Sequence, residues 1–117
     1  FYQIEGDIVV KIIDEGKQRD IHIKEGEMFL LPRCVPHSPQ RGPNTIGLVI
    51  ERYRDQKEKD KCMWFCEKCN AKLYEESFSL EDIVNQLPAV MSNFYASKEL
   101  CTCKECGTVM EAPLPVA

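Results

Sequence analysis

Two C-x-x-C pairs, Cys66-Glu67-Lys68-Cys69 and Cys103-Lys104-Glu105-Cys106, set the strongest limit on how this chain folds. Two residues between cysteines let both sulfurs approach one ion while the intervening amides fold around it. Two such pairs complete a tetrahedral S₄ shell. The chain must therefore return on itself across the 33 residues 70–102. That is long for a minimal ribbon, so helical pieces are expected to fill it. Gly107 follows the second pair, where a tight backbone turn is wanted. All four coordination positions are taken, so the metal is expected to staple a small module rather than perform chemistry. Zinc and iron both suit S₄ ligation, and unbound thiols or a redox disulfide are the alternatives. Register is open at two points, because Cys101 lies two residues before Cys103 and Cys62 four before Cys66.

The cysteine count is seven, an odd number, and no secretory signal is visible. Paired C-x-x-C in such a chain favours a metal site over a disulfide framework. Cys34, Cys62 and Cys101 are then free thiols, and the expected location is the reducing cytoplasm. A net charge of −4 and a pI near 5.2 argue against a nucleic-acid partner, which would call for a basic face. No apolar run approaches a membrane span, so no membrane association is expected. The chain opens on Phe1, and FYQIEG reads as the middle of a strand. It is therefore expected to be the C-terminal part of a longer protein.

Residues 1–54 read as β throughout. Phe1–Ile4 and Ile8–Asp14 are β-branched and apolar, separated by the hairpin signal Glu5-Gly6-Asp7. Further turns at Glu15-Gly16-Lys17 and Lys24-Glu25-Gly26-Glu27 bound an alternating Asp20–Ile23 and a short Met28–Leu31. Thr45–Tyr53 is expected as one more strand. Turns at this spacing mark a sandwich or barrel. Residues 55–61, DQKEKDK, are expected as a solvated linker, with a metal-binding module over 62–117. In that module Ser79 is the expected N-cap of a helix with Leu80, Ile83, Val84 and Leu87 on one face. Pro88 is expected to end that helix and begin another, carrying Val90, Met91, Phe94 and Tyr95. The tail 111–117 is expected to fray.

The stretch Phe29–Gly42 carries the other candidate site. Pro32, Pro36 and Pro39 fix their own φ and keep the preceding residues extended. A loop stiffened in this way can present His37 and Arg41 in fixed positions. A lone histidine near prolines is more often an ordinary loop residue, and a lone arginine an ordinary surface one. A carboxylate in the next strand, Glu51, turns the three into a binding-site constellation. Turned inward, Glu51 would need a cation or a donor as partner; periodicity leaves its direction open, since Leu48 and Ile50 are as apolar as Val49. Arg41 offers a planar fork suited to a carboxylate. His22 reads as an ordinary strand residue.

FYQIEGD, KEGEMFLLP, VPHSPQR and GLVIER, in that order, resemble the 3-hydroxyanthranilate 3,4-dioxygenase family. The resemblance continues through WFCEKC, LPAVMSNFYAS and CKECGTV, as in bacterial and fungal members. It implies a mainly β, cupin fold (a double-stranded β-helix, or jelly-roll barrel). A small C-terminal rubredoxin-like metal module with short helices would follow, with Fe or Zn on Cys66, Cys69, Cys103 and Cys106. It implies Fe(II) at the catalytic site, held by two histidines and one glutamate with open positions for substrate and O₂. His37 matches the last histidine; the other two ligands, and a second substrate-binding arginine, belong to a motif ahead of Phe1. Arg41 matches the arginine that holds the substrate carboxylate, and Glu51 the acid that contacts its amino and hydroxyl edge. The implied reaction opens 3-hydroxyanthranilate with O₂ to 2-amino-3-carboxymuconate semialdehyde, on the route to quinolinate and NAD, in a homodimer. Cys34, Met110, Cys62 and Cys101 depart from the pattern at positions with no matched role. Another cupin metalloenzyme and a non-enzymatic zinc-ribbon module are the rival readings.

Overall fold

The computed structural model describes residues 1–113. The expected frayed tail lies partly outside them, at residues 114–117. The chain divides into two compact units, Phe1–Tyr53 and Arg54–Ala117. It is mainly β, with two short helices near the C-terminal end.

The first unit holds five strands: β1 (Tyr2–Glu5), β2 (Ile8–Asp14), β3 (Lys17–Ile23), β4 (His37–Gln40) and β5 (Ile46–Leu48). β2 and β3 form a hairpin in full register from Ile8↔Ile23 to Asp14↔Lys17. Glu15 and Gly16 make its turn, both at positive φ (50° and 76°), as a twist-matched two-residue hairpin requires. Alternation along β2 sends Ile8, Val10 and Ile12 to one face, where they pack with Ile23 as the core. Phe1, Ile21, Phe29, Leu31 and Val35 close around them.

Several boundaries differ from the sequence expectation. Glu5-Gly6-Asp7 turns the chain, but β1 and β2 do not pair: β1 pairs with β5, and β2 with β3 and β4. Met28–Leu31 is no strand; Met28 makes only an isolated bridge to Tyr2. The proline-stiffened loop is partly a strand, because β4 runs antiparallel to β2 from Ile12↔His37 to Val9↔Gln40. Pro39 is accommodated because β4 is an edge strand, where a missing N–H need not break a ladder. β5 ends at Leu48, so Glu51 lies beyond it in irregular chain.

The second unit begins with a turn rather than a loose tether. The Asp55 carbonyl accepts from the Glu58 amide, the Glu58 carboxylate accepts from the Asp55 amide, and Arg54 grips Asp60 through two bonds of 2.6 and 2.9 Å. Asp60 and Lys61 already belong to β6 (Asp60–Phe65), which pairs antiparallel with β7 (Lys72–Phe78). One helix follows, α1 (Ile83–Tyr95), then a single turn, α2 (Lys98–Cys101). Asp82, not Ser79, caps α1, its carboxylate accepting from the Val84 and Asn85 amides. Gln86 reaches back instead, accepting from the Glu81 and Asp82 amides and donating to the Ser79 carbonyl.

Pro88 sits inside α1, and the helix runs through it. The bond it forgoes is to Val84, which is exposed, so the lost partner does not strand a carbonyl in the core. The expected face of Ile83 and Val84 is in solvent; Val90 and Phe94, one turn apart, are the buried pair. Phe94 stacks on Trp64 with centroids 4.3 Å apart at 17°. Tyr74 and Tyr95 pack around that pair, and Cys101 completes the core. Among the described residues no helix is long and apolar enough to cross a membrane.

Candidate metal centre and substrate site

The two cysteine pairs are built alike. In the first, the Cys66 amide donates to Ala71 O at 2.7 Å and the Asn70 amide to Cys66 O at 2.9 Å. In the second, the Cys103 amide donates to Thr108 O at 2.8 Å and the Gly107 amide to Cys103 O at 2.9 Å. Each loop turns at the residue after its second cysteine, Asn70 (φ 66°) and Gly107 (φ 76°). Asparagine is among the few non-glycine residues that enter this region readily. Its place matches that of Gly107, which is the signal that could have marked it in the sequence.

The four sulfurs converge. Cys66 and Cys106 are 3.5 Å apart, as are Cys69 and Cys103, and all four lie within 4.8 Å of one another. A tetrahedron with ~2.3 Å metal–sulfur bonds has edges of about 3.8 Å, so the donor set fits a thiophilic ion. The surroundings already favour thiolate at two positions. The amide of Cys69, then that of Lys68, holds the Cys66 thiol below its ordinary value. The Thr108 hydroxyl, with the Thr108 amide, brings Cys106 down to about 6. Cys69 goes the other way. The Ala71 amide favours its thiolate, but the Cys103 sulfur and burial outweigh that and push it up to about 12.

Cys101 and Cys62 do not join the cluster. The Cys101 thiol is buried and donates to Phe94 O at 3.4 Å, and burial raises its pKa. Cys62 sits in β6 opposite Glu76, raised by burial first and then by Glu76 and Asp60. Neither sulfur is among the four that lie within 4.8 Å of one another, those of Cys66, Cys69, Cys103 and Cys106. The ambiguity of register is thereby resolved in favour of the two C-x-x-C pairs.

In the first unit His37 is paired with Ile12 and Pro39 with Val10, and cross-strand partners share a face. Ile12 and Val10 are core residues, so His37 and Pro39 lie on the core side of the sheet, and the alternation carries on to Arg41. His37 is nevertheless exposed. Its Nδ1 lies 3.0 Å from Val35 O. A carbonyl can only accept, so Nδ1 carries a proton, and in the neutral ring Nε2 keeps its lone pair. That is the tautomer a metal-binding histidine needs, fixed by a backbone partner. The Phe1 ring meets His37 edge-on at 6.0 Å. Arg41 donates from Nη1 to Gln3 Oε1 at 3.5 Å. Glu51 is exposed beyond β5, not on a buried strand face as an inward orientation would have required. Gln3, a buried residue of β1, drew no notice in the sequence because nothing local distinguishes it from any strand glutamine.

Architecture and donor sets define a cupin-type β segment followed by a four-cysteine metal module. The chain belongs to the 3-hydroxyanthranilic acid dioxygenase family, whose profile matches residues 1–95. A protein named 3-hydroxyanthranilate 3,4-dioxygenase from Xanthomonas campestris pv. campestris (strain B100) is 53% identical over 113 residues, covering 97% of this chain and 64% of the relative. Relatives of the same name from Xanthomonas euvesicatoria pv. vesicatoria (strain 85-10) and Bacillus cereus (strain ATCC 10987 / NRS 248) are 52% and 45% identical. They are covered over 64% and 62% of their lengths, against 97% and 94% of this chain. The chain thus spans a little under two thirds of these relatives.

Proposed function

We propose that this chain forms part of an Fe(II)-dependent dioxygenase that opens the ring of 3-hydroxyanthranilate with O₂, yielding 2-amino-3-carboxymuconate semialdehyde for quinolinate and NAD synthesis. The observation that carries this reading is the family match over residues 1–95, a range that contains His37, Arg41 and Glu51. With Nδ1 held by the Val35 carbonyl, the Nε2 of the neutral His37 ring suits an iron ligand. Bound Fe(II) would supply the activation of O₂ toward the aromatic ring. The chain's own residues supply positioning and charge. Arg41 anchors the substrate carboxylate with its remaining N–H donors. Glu51 accepts a proton from, or orients, the amino and hydroxyl edge of the ring.

The test is O₂ uptake by the iron-loaded full-length protein with 3-hydroxyanthranilate. One O₂ consumed per ring opened is expected; no turnover with iron bound overturns the reading. The four-cysteine site is proposed to hold iron or zinc in a purely structural role. Elemental analysis of the His37→Ala variant identifies that ion, since only the cysteine-bound metal should remain. A reducing cytoplasmic setting is proposed from the paired C-x-x-C spacing, which suits metal binding better than disulfides. A homodimer is proposed from the family resemblance, and light scattering of the purified protein tests it.

A further inference from the structure

Arg41 has a buried neighbour as its hydrogen-bond partner, Gln3. Gln3 is 1% exposed, and both ends of its amide are engaged. Nε2 donates to Glu5 O at 3.0 Å, and Oε1 accepts from Arg41 Nη1 at 3.5 Å. The amide has one possible orientation, since a carbonyl only accepts and a guanidinium only donates. The β1–β5 ladder is irregular between Gln3 and Glu5. That bulge brings the Glu5 carbonyl within reach of the Gln3 side chain. The β1 backbone is fixed as well, with the Gln3 amide donating to Glu27 O at 3.1 Å and the Gly26 amide to Gln3 O at 2.7 Å.

Opposite Gln3 in register stands Gly47. A Cβ at that position would lie 2.5 Å from Gln3 Oε1 and 2.7 Å from Arg41 Nη1. The missing side chain of Gly47 is therefore the space in which amide and guanidinium meet. The choice of glutamine also matters. A carboxylate in its place would neutralise Arg41 and compete with an anionic ligand, whereas a neutral amide directs the guanidinium and leaves its charge available.

We propose that Gln3 is a positioning residue: across the gap left by Gly47, it holds the Arg41 guanidinium in the orientation that receives the substrate carboxylate. This rests on the reading of Arg41 as the carboxylate anchor. In the iron-loaded full-length protein, Gln3→Met removes both side-chain hydrogen bonds at nearly constant volume. KM for 3-hydroxyanthranilate is expected to rise about 5- to 20-fold, with kcat within about twofold and iron content unchanged. The inhibition constant of 2-aminophenol, which lacks the carboxylate, is expected not to move. In an Arg41→Ala background, Gln3→Met is expected to add nothing further.

Weakening of both ligands alike, or full additivity with Arg41→Ala, would make Gln3 a mere core residue and overturn the proposal. If Arg41→Ala raises KM while Gln3→Met does not, the proposal fails and the anchor stands. If Arg41→Ala leaves KM unchanged, both fall together. Should Gln3→Met not fold, Gly47→Ala replaces it, because its methyl would meet Gln3 Oε1 and Arg41 Nη1 and push the two apart; the same separation between the two ligands is expected, and its absence overturns the proposal.

Discussion

At the scale of single residues, hydrogen-bond direction decides most of the chemistry. Val35 O is the partner of His37 Nδ1; under the proposed assignment of His37 as an iron ligand, His37→Ala should lower iron content and reduce turnover to background, as elemental analysis and O₂ uptake would show. Unchanged iron content would reassign the ligand. Under the proposed role of Arg41 as carboxylate anchor, Arg41→Ala would remove charge-assisted bonds worth ~1.5–3 kcal/mol, which corresponds to about a 10- to 150-fold rise in KM. Thr108 lowers the Cys106 pKa, whereas the Cys103 sulfur and burial raise that of Cys69 against the pull of the Ala71 amide.

At the scale of elements, the parts of the fold that depend on local chemistry were legible in the sequence and the parts that depend on distant pairing were not. The C-x-x-C spacing placed all four ligands of the cysteine cluster, because each knuckle closes within a few residues. The Glu15-Gly16 hairpin followed from its own turn. By contrast, His37–Gln40 looks like a loop until β2, some 25 residues earlier, offers it an edge. Residues after Leu48 look like strand, yet their β propensity finds no ladder. Ser79 matches a capping signature, but Gln86 takes up the upstream amides and leaves the cap to Asp82. The cap assignment is testable. Asp82→Ala should cost ~1 kcal/mol of stability in chemical denaturation, and Ser79→Ala only a few tenths. Equal losses would count against Asp82. Phe94→Ala, which opens the centre of the second core, should cost about 3–5 kcal/mol.

At the scale of the whole molecule, two cores of different origin share one chain. Ile8, Val10, Ile12 and Ile23 form the first from apolar burial alone. The second gathers around Trp64 and Phe94, in the unit that carries a four-cysteine cluster able to hold a metal ion, whose binding energy would also be folding energy. Stripping the cysteine-bound ion should therefore open amide exchange across β6, β7 and α1, while β2 and β3 keep their protection. Equal loss of protection in both units would show that the metal does not act on its own module. Trp64 carries a further consequence. It is the one tryptophan in the sequence, it stacks on Phe94, and it lies two residues from the ligand Cys66. All indole fluorescence from this chain thus originates beside the cysteine cluster. A closed-shell zinc ion would leave that emission bright. A ferric tetrathiolate, with its red colour and near-ultraviolet charge-transfer absorption, would quench it by energy transfer, so one emission spectrum distinguishes the two metals.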